Sequence, residues 1–250
     1  MAPVLETRGL DKHFGGIIAA NEVSLKIEKG ARHALIGPNG AGKTTVVNLL
    51  TGMLRPTAGQ ILLDGNDITH VQPHERVRLG IARTFQINQL FADLTPIEAL
   101  GLAISERLGR GRDWWRIVGS DPSVTDEIVG LIERFRLGDV MRERTGILPY
   151  GKQRLLEIAL ALATRPKVLL LDEPAAGVPQ EESGDVFEAV ANLSDDLTLL
   201  FIEHDMHVVF RFASHIIVLV GGAIFTQGSP AEISADPRVR EVYLGTRNHG

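Results

Sequence analysis

The stretch GPNGAGKTT, residues 37–45, has the pattern G-x-x-x-x-G-K-[ST]. Its fixed positions are occupied by Gly37, Gly42, Lys43 and Thr44. Small residues in such a loop let successive backbone N–H groups turn inward and bind phosphate oxygens at the start of a helix. A short strand, Arg32–Ile36, precedes the loop, and a helix is predicted to follow it over Val46–Leu50. This strand–loop–helix order predicts an α/β fold that holds a phosphorylated ligand.

The residues of this phosphate loop are predicted to share the binding of a nucleoside triphosphate. They are Gly37, Pro38, Asn39, Gly40, Ala41, Gly42, Lys43, Thr44 and Thr45. Lys43 brings a positive charge to the β- and γ-phosphates, and Thr44 offers its hydroxyl to Mg²⁺. A glycine-rich turn that matches the pattern by chance is the alternative. The flanking strand and helix disfavour it.

Length and composition fit a sizeable folded chain. The sequence has 250 residues, of which 44% are hydrophobic and 23% charged, so a large core can form. Its formal net charge of −5 argues against a broad nucleic-acid surface, because duplex binding depends on many lysines and arginines. The chain has no cysteine, which excludes disulfides and thiolate metal sites and fits a reducing compartment.

Apolar stretches in this sequence are too short to cross a bilayer. The longest, such as residues 215–225, are interrupted by glycines and fall far short of ~18 residues. The N-terminus lacks a basic region followed by an apolar run, so no secretory signal is expected. Any association with a membrane is therefore expected to be peripheral.

Element patterns along the chain predict one α/β domain over residues 1–250 with an inserted helical lobe. The N-terminal third mixes a strand over Asn21–Ile27 with a hairpin that turns at Asp64-Gly65. The helical lobe is predicted at about residues 88–162, and its first helix opens with a capping box. Thr95 is the N-cap, Pro96 takes the first helical position and Glu98 closes the box. Further helices are predicted over 123–135 and 181–193, and a second hairpin around Gly221-Gly222.

A second motif, VLLLDEP over residues 168–174, is a buried apolar strand that ends in two carboxylates. Ligands of open α/β sheets bind at the carboxyl ends of strands. Asp172 is predicted to hold the Mg²⁺ shell, and Glu173 is predicted to polarise an attacking water. The alternative interpretation is that the two acidic residues simply belong to a loop or cap a helix. The phosphate loop upstream favours the catalytic interpretation.

A third apolar strand, in LTLLFIEHDM, ends at Glu203-His204-Asp205. His204 is predicted to sense the γ-phosphate and orient the water. His204 and His207 also have the spacing of a metal pair, but no third ligand is in view. Two weaker predictions assign Gln86 to a Mg²⁺ or water contact and Phe14 to stacking on adenine. Their alternatives are a solvated glutamine and a core phenylalanine.

The segment LPYGKQR, residues 148–154, leads into a further predicted helix and contains a glycine that exposes backbone N–H groups. Together these motifs resemble the ATP-binding subunits of ABC transporters, whose signature is Leu-Ser-Gly-Gly-Gln. In that family the signature faces the γ-phosphate held by a second ATP-binding subunit. The resemblance assigns this role to the following signature residues: Leu148, Pro149, Tyr150, Gly151, Lys152 and Gln153.

One branch of that family, the ATPase subunits of branched-chain amino-acid and related importers, is the most similar. Five segments carry this likeness, which covers nearly the whole chain: RTFQ (83–86), YGKQRLLEIALAL (150–162), DEPAAG (172–177), IEHDM (202–206) and DPRVREVYLG (236–245). The resemblance implies ATP and Mg²⁺ as cofactors and hydrolysis that powers uptake of branched-chain or similar amino acids. It implies a second ATP-binding subunit, membrane permease subunits and, indirectly, a solute-binding protein. It places the chain peripherally on the cytoplasmic face of the membrane.

Two departures from the family pattern fall on surfaces that serve the partner. Pro149 replaces the usual serine, and proline offers neither a hydroxyl nor an N–H. After DEPAAG the family usually has two residues before a proline, whereas here Val178 alone precedes Pro179. We therefore expect a non-identical ATP-binding partner, although the sequence leaves a homodimer open. Trp114 and Trp115 are expected either to touch the permease or simply to pack in the lobe.

Two other classes of protein remain as alternatives. One is a soluble ABC-type ATPase that acts as a regulatory or nucleic-acid-associated module. The negative net charge of the chain and the lack of a basic tract disfavour this class. The other is a phosphate-loop kinase, which the signature segment and His204 disfavour. No nucleic-acid partner is expected.

Overall fold

A computed structural model describes residues 3–84, 90–110 and 121–245. The chain divides into two compact units. The first unit comprises Met1–Ile81, Lys167–Glu173 and Ser194–Gly250. The second comprises Ala82–Pro166 and Pro174–Leu193. The predicted lobe at about 88–162 falls within the second unit, which also takes in the residues after the DEP motif.

Strands form most of the first unit. In chain order they are β1 Leu5–Phe14, β2 Ile17–Val23, β3 Lys26–Ile27, β4 Arg32–Ile36, β5 Ala58–Leu63, β6 Asn66–Asp67, β7 Ile81–Thr84, β8 Val168–Asp172, β9 Thr198–Ile202, β10 His215–Val220 and β11 Ala223–Gly228. The first unit also holds the helices α1 Lys43–Leu50, α2 Pro73–Leu79, α7 Met206–Phe212, α8 Pro230–Ala235 and α9 Pro237–Gly245. Strand β7 begins in the first unit, and the chain passes through it into the second.

A mostly parallel sheet orders its strands as β11-β10-β4-β9-β8 in the first unit. Strands β10, β4, β9 and β8 are parallel, and β11 pairs antiparallel with β10. Every residue of β8 and β9 is buried, as the unbroken apolar runs of both strands predict. Parallel strands end at one edge, so the segments that follow β4, β8 and β9 meet there. Those segments carry the phosphate loop, Glu173 and Glu203.

A second, antiparallel sheet pairs β1 with β2, β3 and β5. The sequence prediction of one strand over Asn21–Ile27 is wrong, because the structure divides this stretch into β2 and β3. Ser24 and Leu25 belong to neither strand, and Glu22, the next-to-last residue of β2, adopts φ 49°. The Thr7 hydroxyl spans the break, donating to the Val23 carbonyl at 2.8 Å and accepting from the Leu25 N–H at 2.9 Å. The Asp64-Gly65 hairpin is confirmed, with both residues at positive φ.

Helix α1 is anchored at its C-terminal end by a buried arginine. The Arg76 guanidinium donates to the carbonyls of Leu49 and Leu50 at 2.7 and 2.8 Å. It also donates to the carbonyls of Thr69 and Val71. Burial lowers the Arg76 pKa to about 10, so the group stays charged at neutral pH. A cation is favourable at a helix C-terminus, and here it satisfies carbonyls that have no partner within the helix.

Helices dominate the second unit. They are α3 Pro96–Arg107, α4 Pro122–Arg134, α5 Tyr150–Ala163 and α6 Gln180–Ala191, with a 3₁₀ turn at Thr145–Ile147. The predicted capping box of α3 is confirmed, with the Glu98 carboxylate accepting the Thr95 N–H at 2.8 Å. Helix α3 packs against α4 and α5, and α5 packs against α6. Within the described residues, no helix has both the length and the apolar character that spanning a bilayer requires.

Candidate nucleotide-binding site

The phosphate loop connects β4 to α1 and depends on close backbone packing. Gly40 and Gly42 have φ of 77° and 98°, a region that favours glycine. A Cβ on Gly42 would overlap the Ala19 carbonyl of β2, and a Cβ on Gly37 would overlap the Leu219 carbonyl of β10. These glycines let the loop lie directly against two strands. The spacing of the motif therefore has a steric reason in this fold.

Lys43 is the first residue of α1, and its side chain folds back over the loop. Its ammonium donates to the Gly37 carbonyl at 2.7 Å and to the Pro38 carbonyl at 3.0 Å. Burial lowers the Lys43 pKa, while Glu173 and Asp172 act in the opposite direction. The result is a half-buried cation whose hydrogen-bonding partners here are neutral carbonyl oxygens. An anionic phosphate is a stronger acceptor than either carbonyl.

The two carboxylates of the DEP motif lie at the end of β8. Asp172 closes the strand and is only 2% exposed. The Glu173 N–H continues the ladder by donating to the Ile202 carbonyl at 3.0 Å. Glu173 then turns the backbone with φ 47°, an unusual value for a residue other than glycine. Its side chain is partly exposed, so the carboxylate can reach solvent at the sheet edge.

His204 follows β9 and lies between two carboxylates. Its Nδ1 is 4.0 Å from Glu173 Oε1 and 3.8 Å from Glu203 Oε2. Glu203 is buried, and its carboxylate accepts the N–H groups of His204 and Asp205 at 3.0 and 3.4 Å. Burial raises the Glu203 pKa more strongly than these two hydrogen bonds lower it. No role for Glu203 is predicted from the sequence, although its position at the end of a buried strand is a signal for one.

The structure thus gathers Lys43, Asp172, Glu173 and His204 at one edge of the parallel sheet. Phe14 ends β1, pairs with Ile17 and is 47% exposed. The Lys12 ammonium lies 5.0 Å from the centre of its ring, a cation–π distance. Phe14 is therefore a surface residue rather than the core phenylalanine of the alternative interpretation. Gln86, Trp114 and Trp115 lie outside the described residues.

A histidine metal pair finds no support in the geometry. The His207 N–H donates to Asp205, which caps helix α7. Among the described residues there is no group of three or more His, Cys, Asp or Glu side chains that could hold a metal ion.

The signature segment forms the start of α5 in the second unit. Pro149 is the N-cap residue and provides no side-chain hydrogen bond to the helix. The Gly151 N–H donates instead to Glu182 Oε2 at 2.9 Å. The Lys152 ammonium donates to Asp139 at 2.8 Å and also to a backbone carbonyl. The Gln153 amide donates to the Leu148 carbonyl at 2.8 Å.

Arg154 connects the signature segment to the loop that follows the DEP motif. Its guanidinium lies 2.7 Å from Glu157 in a buried ion pair and donates to the Ala176 carbonyl at 3.4 Å. It also lies 5.5 Å from the centre of the Tyr150 ring. Burial raises the Glu157 pKa despite the adjacent arginine. This ion pair is not predicted from the sequence. Its signal was an arginine and a glutamate three residues apart in a largely apolar helix.

Family comparison defines the class of protein. The family model described as ABC transporter matches residues 20–176, which is more than half of the chain. This chain therefore belongs to the ABC transporter family, and its nucleotide site is that of an ABC-type ATPase. A second model, described as branched-chain amino acid ATP-binding cassette transporter, matches residues 224–249. The resemblance stated from the sequence motifs is confirmed.

Individual relatives extend over almost the entire chain. The high-affinity branched-chain amino acid transport ATP-binding protein BraF of Pseudomonas aeruginosa is 40% identical over 97% of this chain and 98% of its own length. The high-affinity branched-chain amino acid transport ATP-binding protein LivG of Escherichia coli strain K12 is 38% identical over 97% of this chain and 98% of its own length. The probable LivG protein of Archaeoglobus fulgidus is 34% identical over 98% and 96%.

Solved structures confirm the fold class predicted from the sequence. The ADP conformation of MJ1267, an ATP-binding cassette of an ABC transporter, has a TM-score of 0.84 and 32% identity. It covers 98% of this chain and 100% of its own. A nucleotide-free ATP-binding cassette has a TM-score of 0.82 and 31% identity, covering 96% and 98%. The predicted phosphate-loop α/β architecture with an antiparallel sheet and added helices is thus correct.

Proposed function

We propose that this chain hydrolyses ATP to power the uptake of branched-chain or similar amino acids through membrane permease subunits. ATP hydrolysis is supported by one observation, the placement of Lys43, Glu173 and His204 at one edge of the parallel sheet. The names of the BraF and LivG relatives and the C-terminal family match support the amino-acid part.

Mg²⁺ fits the donor set beside the phosphate loop. Thr44 is exposed at the start of α1 and offers a hydroxyl, and Asp172 offers a carboxylate. Both are hard oxygen ligands, and Mg²⁺ typically uses one or two carboxylates together with substrate phosphates and water. When bound, the ion neutralises part of the triphosphate charge. Gln86 is proposed as a further contact to the ion or the water. Phe14 is proposed to stack on the adenine ring.

Hydrolysis then requires water to attack the terminal phosphorus while the bond to ADP breaks. Glu173 is proposed to accept the proton of that water at its carboxylate. His204, which lies 4.0 Å from Glu173, is proposed to contact the γ-phosphate and orient the water. Lys43 and backbone N–H groups of the phosphate loop are proposed to stabilise the charge that develops on the phosphate oxygens. The protein's part is therefore positioning and electrostatic stabilisation.

The signature segment is proposed to serve a second ATP-binding subunit that is not identical to this chain. Pro149 lacks the hydroxyl that the family's serine would provide, and the loop from Gly177 to Pro179 is short. In a homodimer both ATP molecules would face these reduced surfaces, whereas in a heterodimer only one would. Hydrolysis is then expected mainly at the site built on Lys43 and Glu173. The assembly is proposed to lie peripherally on the cytoplasmic face, with a solute-binding protein acting on the permease.

Reconstitution tests this proposal directly. Proteins that co-purify with the chain from membranes are identified, and the complex is placed in proteoliposomes with its solute-binding protein. We expect permease subunits, a second ATP-binding subunit and ATP-dependent uptake of labelled leucine, isoleucine or valine. A complex carrying Lys43→Ala serves as the inactive control. Recovery of nucleic-acid partners without a permease, or uptake restricted to an unrelated solute, would contradict the proposal.

A further inference from the structure

The Glu182 carboxylate binds a backbone N–H of the signature segment, which the proposed function directs towards the ATP of a second subunit. Its Oε2 accepts the Gly151 N–H at 2.9 Å. Gly151 belongs to the first turn of α5, whose N–H groups have no partner within the helix. A carboxylate at this position satisfies one of them and places a negative charge at the positive end of the helix dipole. It is the same kind of partner that a phosphate oxygen would be.

Three local features hold the carboxylate there. Pro149, at the N-cap, has no side-chain oxygen that could take the donor first. Gly151 leaves the necessary space, because a Cβ at this position would overlap the Glu182 carboxylate. Glu182 lies in the first turn of α6, where its own N–H donates to the Pro179 carbonyl at 2.9 Å. The contact thus joins the starts of two helices that both follow a proline.

We infer that Glu182 is an autoinhibitory competitor for the ATP of the partner subunit. This inference rests on the proposed role of the signature segment. The Gly151 N–H is a single donor and cannot bind the carboxylate and a γ-phosphate oxygen together. The two anions also repel each other at short range. When the two ATP-binding subunits close on the partner's ATP, the Glu182 side chain must therefore leave Gly151. This requirement raises the ATP concentration needed for the subunits to close.

Neutralising this side chain tests the inference. Glu182→Gln keeps the length of the side chain but removes its charge, so it competes less well for the N–H. Glu181→Gln is the matched control, because it removes the same charge from the same helical turn, whereas the Gly151 N–H donates to Glu182. In the purified complex, the ATP concentration for half-maximal hydrolysis is expected to fall about 2- to 10-fold for Glu182→Gln only.

A second readout is independent of hydrolysis. The isolated full chain is titrated with inorganic phosphate while the amide resonance of Gly151 is followed by NMR. We expect the resonance to move at lower phosphate concentration in Glu182→Gln than in the unmodified chain or Glu181→Gln. Calorimetry should find equal ATP affinity in all three, because Glu182 is not part of the site around Lys43.

The outcomes separate the inference from the function on which it rests. If Glu182 only caps α5, Glu182→Gln will lower the melting temperature and leave both phosphate readouts unchanged, and the inference is overturned. An increase in the half-maximal ATP concentration also overturns it. The proposed function itself fails if Lys43→Ala leaves ATP affinity intact. In that case the Gly151 titration still decides whether Glu182 excludes phosphate.

Discussion

The ammonium nitrogen of Lys43 lies 2.7 Å from the carbonyl oxygen of Gly37, a partner within its own loop. This hydrogen bond holds a partly desolvated cation against the phosphate loop. Exchanging a carbonyl for a phosphate oxygen strengthens the bond, because the acceptor becomes charged.

Lys43→Ala is expected to weaken Mg-ATP binding by roughly 100-fold, since hydrogen bonds to charged groups contribute about 1.5–3 kcal/mol each. The fold should persist, because the side chain is not part of the main core. Calorimetry measures the affinity, and circular dichroism checks the fold. Lys29→Ala, which removes an exposed lysine, is the charge-matched control. Equal ATP affinity in a folded Lys43→Ala variant would refute the assignment of the loop.

Glu173→Gln is expected to bind ATP normally and to lose hydrolysis by about 100-fold or more, the typical contribution of a general base. The amide keeps the shape and hydrogen-bonding capacity of the side chain but cannot take a proton from water. In the full complex, this variant should accumulate a state in which this chain and the second ATP-binding subunit are closed around ATP. Phosphate release and the mass of the complex with ATP measure both effects. Hydrolysis near the unmodified rate would exclude Glu173 as the group that polarises water.

Pro149→Ser tests the proposal that the second ATP-binding subunit is not identical to this chain. The isolated chain is expected to be mainly monomeric with slow ATPase activity, and the serine should increase pairing and hydrolysis by supplying a hydroxyl. Because a serine N-cap also stabilises α5 by about 1 kcal/mol, Pro149→Ala is needed as the control without a hydroxyl. Light scattering and steady-state ATPase assays give the two readouts. Rapid hydrolysis by a stable homodimer of the unmodified chain, unaffected by Pro149→Ser, would refute the proposal of a non-identical ATP-binding partner.

Stability is expected to fall with acid because of His33, which is buried in β4. Burial, followed by the nearby His215 ring at 4.8 Å, lowers the His33 pKa to about 4. The folded state therefore binds fewer protons than the unfolded chain, whose histidine titrates near 6.5. The contribution is fully present above about pH 6.5 and is lost as the pH falls toward 4, by up to about 3 kcal/mol.

Urea unfolding between pH 7 and pH 4.5 measures this slope. His33→Phe keeps a ring in the buried position but cannot bind a proton, so its stability should depend less on pH over this range. His74→Gln replaces an exposed histidine and should retain the slope of the unmodified chain. Parallel pH profiles for all three proteins would show that another group controls the loss of stability.

Sequence reasoning succeeded where the information is local. The phosphate loop, the capping box at Thr95 and the apolar runs of β8 and β9 are each defined within a few neighbouring residues. Strand β1 was missed because register shifts disturb its alternation and its partner β5 is distant in the chain. The contact between Gly151 and Glu182 spans 31 residues, and no spacing rule indicates it. The roles assigned to the individual site residues stay predictions.

The left-handed backbone at Glu173, with φ 47°, has a consequence for the evolution of this position. An L-residue in this region costs about 1–2 kcal/mol, which the surrounding sheet has to offset. Asparagine tolerates the conformation better, so selection for a sturdier fold would favour replacing the glutamate. Selection for ATP turnover, in the proposed mechanism, would oppose that replacement. At position 173, fold stability and ATP turnover therefore favour different residues. A carboxylate is retained there only while ATP turnover is under selection.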